Sequence, residues 1–153
     1  IEYPALLDFE SARLAGYPAE TVIAEKFEAM VKLGQLNSRM KDFYDILILS
    51  RQFEFDGPTL ATAIRATFQN RGTKIQTDAS LFSGELADDK SKQLKWMAFI
   101  RKSRIEGVPP TFPEVVSELV RFLLPVTQFI EGVGQAAFAW QPDRGWQERE
   151  ASN

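Results

Sequence analysis

The sequence predicts a mainly α-helical chain, a bundle of about five or six helices with a short β segment at its N-terminus. Three observations carry this expectation. Apolar residues recur at three- and four-residue spacing over Val22 to Leu33 and over Val115 to Leu124. Helix-breaking residues, at Gly34, Gly57-Pro58, Gly72 and Pro109-Pro110, separate the periodic stretches. Short apolar runs suited to extended chain come mainly before Tyr17. With 153 residues, 44% of them hydrophobic, there is enough chain for one domain-sized core. The expected division is 1–16 as β structure, 17–132 as the helical body and 133–153 as an extended or mobile tail.

In chain order, Ile1 to Gly16 mixes short apolar runs with Pro4 and reads as extended structure or a short hairpin. Tyr17 to Leu49 reads as two amphipathic helices joined by a tight polar turn. Pro18 suits a first helical turn, because its missing N–H would have had no intrahelical partner, and Gly34 suits the position just past the end. Ser38 then caps the second helix through its side-chain oxygen.

Two charges in this pair sit where apolar residues belong. At about 100° per residue, Val22, Ile23, Phe27, Met30, Val31 and Leu33 share one arc, with Glu25, Glu28 and Lys32 opposite on a solvated face. Lys26 falls inside the apolar arc. On the second helix, Asp42 heads a stripe continued by Ile46, Leu49 and Phe53, with Arg39 three residues before it and Asp45 three after. A buried ammonium must reach solvent, pair with a carboxylate or face an anion-receiving cleft. Two accounts follow: an ion pair of Lys26 with Asp42 or Asp45 that clamps the helices, or a site in which Lys26 receives phosphate oxygens and Asp42 positions a metal, a nucleophile or the lysine.

After the break at Gly57-Pro58, Thr59 to Asn70 reads as a helix closed by Gly72, and Arg71 to Lys74 as a solvated turn. Ser83-Gly84-Glu85 resembles a helix entry, and Asp88 and Asp89 suit the positive end of the next helix, about Asp89 to Ser103. That helix carries Lys90, Lys92, Lys95, Arg101 and Lys102, continued by Arg104, without one acid from 90 to 104. With Trp96 and Phe99 it offers phosphate contacts and stacking to RNA through Lys92, Lys95, Arg101 and Lys102; the alternative places Trp96, Met97 and Ile100 in the core and leaves the cations hydrated. Thr111 to Glu114 has the Thr-x-x-Glu form of a capping box, and Pro125 is expected to end or kink the helix it opens near Phe122 and to start a further turn through Glu131. Gln135 to Trp140 reads as a short strand or an aromatic-docked peptide, and Gln141 to Asn153 as a mobile tail.

The string Tyr17 to Lys26, YPAETVIAEK, followed by Arg39 to Ile46, RMKDFYDI, closely resembles the AbiEii/AbiGii toxin family, nucleotidyltransferase-like proteins of bacterial toxin–antitoxin and phage-abortive systems. The resemblance implies the C-terminal part of a polymerase-beta-like enzyme that moves a nucleotidyl group from an NTP with Mg2+, for some relatives to tRNA. It assigns Lys26 as catalytic lysine and Asp42 as the later catalytic aspartate, with Arg39, Lys41 and Asp45 alongside Lys26 at the nucleotide. It also implies an N-terminal Gly-Ser and Asp-x-Asp motif, which the sixteen residues before Tyr17 do not contain. Residues 1–16 would then be a remnant of the catalytic sheet, and the chain alone is expected to be inactive and to bind no metal. A cognate antitoxin is a further implied partner. The alternative function is a non-catalytic helical module that binds RNA or an antitoxin.

The absence of Cys and His excludes disulfides, thiolate nucleophiles, Ser-His-Asp triads and His/Cys zinc sites. Any metal would be hard and oxygen-bound. No apolar run approaches a membrane span and no leader pattern is visible, which points to no membrane partner and to the cytoplasm.

Overall fold

A computed structural model of the chain describes residues 18–37, 39–77, 79–133 and 138–148. Among these are six helices, α1 (Ala19–Asn37), α2 (Met40–Gln52), α3 (Gly57–Arg71), the single turn α4 (Ser80–Ser83), α5 (Lys90–Ser103) and α6 (Phe112–Ile130); five follow the order expected from the sequence, while α4 was not expected, Ser83 and Gly84 closing that turn and not opening a helix. Three short strands, β1 (Phe55–Asp56), β2 (Phe138–Gln141) and β3 (Gly145–Glu148), complete the fold. The expectations for Ile1 to Gly16 and for the Ser38 cap lie outside the described residues.

The boundaries follow local chemistry. Gly34 breaks helical geometry inside α1, at φ 63° and ψ −160°, so the regular part of that helix ends where expected. Arg39 occupies the N-cap of α2 in an extended conformation. The Asp56 carboxylate caps α3 by accepting from the Thr59 N–H (3.0 Å) and hydroxyl (2.7 Å). Asp89 caps α5 through the Lys92 N–H. At α6, Glu114 reaches back to accept from the Thr111 N–H (3.3 Å) and hydroxyl (2.9 Å).

Helix α6 is the spine. Phe112, Val115, Val116, Leu119, Phe122, Leu123, Val126 and Thr127 are buried at helical spacing, and the helix meets α2, α3 and α5. α1 lies across α2 and α3. Of the two outcomes expected near Phe122, an end does not occur: α6 runs through Pro125 to Ile130. Proline removes only the bond to the Arg121 carbonyl, and the buried Val126 and Thr127 hold the last turns in place, Thr127 Oγ1 donating to the Leu123 carbonyl at 2.9 Å.

Within the tail, the short strand read up to Trp140 is present, whereas Gln141 to Glu148, expected to be mobile, are held in a second strand and its turn. Phe138 to Glu148 form a hairpin that pairs with β1 in the order β1-β2-β3, all antiparallel, with Phe55 opposite Trp140 and Trp140 opposite Trp146. Its aromatics fix it to the helices. Phe122 stacks on Trp146 (5.7 Å, 8°) and meets Trp140 edge-on (4.8 Å), while the Trp140 indole donates to the Ser50 carbonyl and that of Trp146 to the Phe122 carbonyl. The turn depends on Gly145, whose φ of 82° suits glycine and whose missing Cβ leaves room for the Arg121 guanidinium.

Candidate functional site

Lys26 reaches the α2 carboxylates from α1. On α1, Ile23, Ala24, Phe27 and Met30 fill the core, and Lys26 emerges between them with its side chain 28% exposed. On α2, nearly every residue from Met40 to Ser50 is buried, including Asp42 and Asp45. The Lys26 ammonium sits 3.0 Å from Asp45 Oδ2 and 3.4 Å from Asp42 Oδ1, and Lys41 lies 3.6 Å from Asp45 Oδ2. One lysine thus serves two buried aspartates, where the sequence offered a choice between them.

The electrostatics follow from that sharing. Burial alone would lower the Lys26 pKa, but the charges and hydrogen bonds of Asp45 and Asp42 outweigh it and hold the ammonium above the ordinary lysine range. For Asp45, burial prevails: with Asp42 adding repulsion, its carboxyl lies above the ordinary aspartate range despite the pull of Lys26 and Lys41. The two shifts agree. The lysine sees two anions, whereas Asp45 sees burial and another anion beside the shared Lys26 and the more distant Lys41. By linkage, what Asp45 contributes to stability is present at low pH and lost as pH rises through its folded-state pKa, and what Lys26 contributes is lost only in alkali. Asp42 Oδ2 and Asp45 Oδ1 are buried with no hydrogen bond among the described residues.

Arg39 is exposed at the α2 N-cap, and no ion pair among the described residues joins it to either aspartate. The expected RNA contacts divide. Lys95, Arg101 and Lys102 lie on the outer face of α5, whereas Lys92 is 2% exposed, its pKa lowered by burial and by the Lys95 charge. Trp96 is fully buried and donates to the Pro109 carbonyl, so it presents no stacking surface. The described residues contain no group of three or more carboxylates suited to a metal ion.

Sequence reasoning misplaced Glu28. Instead of lying on a solvated face it is 1% exposed, accepting from Arg71 Nη1 (3.0 Å) and Thr73 Oγ1 (2.6 Å). The wheel assigned it to water because it could not show that the end of α3 lies over that face. Arg71, at the end of α3, is thus a structural partner of Glu28 while remaining exposed to solvent. Burial works against ionisation of Glu28, yet the hydrogen bonds from Thr73 and Arg71 and the Arg71 charge hold its pKa below the ordinary glutamate range. Its contribution is then present above the unfolded-state pKa and lost as pH falls through the folded one. Glu28→Gln should cost roughly 1.5 to 3 kcal/mol at neutral pH and flatten the loss of stability in acid, both read from denaturant melts over a pH series.

A family model described as the nucleotidyl transferase AbiEii toxin of a Type IV toxin–antitoxin system matches residues 1–118. The chain belongs to the AbiEii family. No curated protein and no solved structure matches it. The AbiEii match spans both halves of the cluster, Lys26 on α1 and Lys41, Asp42 and Asp45 on α2, and stops within α6. No helix among the described residues is long and apolar enough to cross a membrane.

Proposed function

We propose that this AbiEii chain supplies the helical side of a nucleotidyl-transfer site, in which Lys26 neutralises charge on an NTP triphosphate and Asp42 completes the carboxylate set across the cleft. The observation that supports this most is the pair of unsatisfied oxygens within the cluster. Lys26 and Lys41 match the two aspartates in number, yet only Lys26 reaches both, and Asp42 Oδ2 and Asp45 Oδ1 are each buried without a hydrogen bond among the described residues. Leaving such groups without partners costs about 1 to 3 kcal/mol apiece, an arrangement that a functional role accounts for better than stability does.

Lys26 suits the role because it is held charged at every physiological pH, oriented by two anions and still partly open to water. Pre-oriented charge of this kind acts most strongly on the negative charge of a transferring phosphoryl group. Asp45 holds the ammonium at the shorter distance and serves as a positioning residue, and Lys41 and Arg39 lie at the outer edge for further phosphate contact. The described residues do not themselves build a divalent-metal site, since Lys26 already occupies the side that Asp42 and Asp45 share. The Mg2+ expected of the family is assigned to carboxylates beyond the described residues, and the chain alone is expected to transfer nothing. The acceptor we favour is tRNA, the setting the cytoplasm, and a cognate antitoxin the partner that restrains the activity.

The test is transfer from a labelled NTP to an RNA acceptor by the product of the complete reading frame. Asp42→Asn should lower the rate about 100-fold or more while the melting temperature stays within a few degrees. An unchanged rate would remove Asp42 from the site.

A further inference from the structure

The outer face of α5 combines exposed aliphatic side chains with unneutralised cations. Lys92, Trp96, Phe99 and Ile100 turn inward, leaving Lys90, Leu94, Lys95, Met97, Arg101 and Lys102 outside. Leu94 is 69% exposed and Met97 45%, two of the three large apolar residues that the described residues expose. They stand three residues apart, with Lys90 one turn before Leu94 and Arg101 one turn after Met97, while Lys95 and Lys102 flank the other side. The helix has no acidic residue with which to neutralise these cations internally.

RNA is the first partner a basic helix suggests, but the exposed residues disfavour it. Single-stranded nucleic acid is held by aromatic platforms and duplex by polar and cationic groups. Both aromatics of α5 face inward: Trp96 is buried, and Phe99 packs on Trp96 and Tyr44. The residues exposed instead are aliphatic, and they gain little from phosphate. Leucine and methionine at i, i+3 inside a polar rim is the pattern by which one helix receives another. We propose that the outer face of α5 docks an acidic amphipathic helix of a partner protein, with Leu94 and Met97 as anchors and Lys90, Lys95, Arg101 and Lys102 meeting its carboxylates.

The test uses fluorescence anisotropy with a synthetic amphipathic helical peptide that carries a leucine stripe flanked by glutamates. The peptide should bind, and Leu94→Ser/Met97→Ser should weaken it by about tenfold or more, as should Lys95→Glu/Arg101→Glu. A version with lysine in place of glutamate should bind at least about tenfold more weakly. All four substituted residues are exposed, so unchanged thermal melts confirm that the fold survives. Three results would overturn the proposal: no binding of the acidic peptide, binding indifferent to Leu94→Ser/Met97→Ser, or capture of labelled tRNA that depends on Lys95 and Arg101 but not on the aliphatic pair. A dimer in sedimentation that Leu94→Ser/Met97→Ser dissolves would overturn it too, in favour of a second copy of the chain.

Discussion

Lys26→Met should lower nucleotide transfer by the complete AbiEii protein about 100- to 1,000-fold, the range for removing one pre-oriented charge stabiliser. It should also destabilise the fold, since it leaves Asp42 and Asp45 buried with only the peripheral Lys41 beside them. Breaking a buried pair by deleting one partner costs around 3 to 5 kcal/mol, and with the Lys26 side chain 28% exposed the lower end applies. Stability and activity can be separated, because the cost lies in the stranded carboxylates. Adding Asp45→Asn should recover on the order of 2 kcal/mol in a double-mutant cycle. Asp45→Asn alone should be well tolerated, since burial already disfavours its ionised form.

The second large effect lies at the opposite end of the fold. Phe122→Ala should cost about 3 to 5 kcal/mol, because its ring is fully buried and joins α6 to all three strands of the small sheet through Phe55, Trp140 and Trp146. The melting temperature should fall on the order of 10 °C. Loosening of the hairpin would shift the emission of Trp140 and Trp146 to the red while Trp96, against Phe112, keeps its environment. A melt unchanged within a few degrees would mean that the hairpin contributes little to the fold.

The sequence revealed most about the helices and least about what lies over them. The starts and stops at Gly72, Asp89 and Thr111 were legible because capping is local chemistry, decided within four residues. Pro125 does not end its helix because its local effect is real but small beside the packing of Val126 and Thr127. Of the hairpin only the first strand was legible, in the run ending at Trp140; the second is too short to register, and what orders both is the seating of Trp140 and Trp146 on α2 and α6. At the site, the misplaced charges Lys26 and Asp42 pointed to the cluster directly. That Asp45 would be the nearer partner, and Glu28 a buried one, depended on the relative rotation of packed helices, which a wheel for each helix cannot supply.

The deciding measurement is transfer per folded molecule by the Lys26→Met/Asp45→Asn double variant of the complete protein, with the folded fraction fixed by a thermal melt. If Lys26 acts on the nucleotide, the double variant is folded and still at least about 100-fold slower than the parent. Transfer at the parental rate from the refolded double variant would contradict that role and leave the cluster as a clamp between α1 and α2.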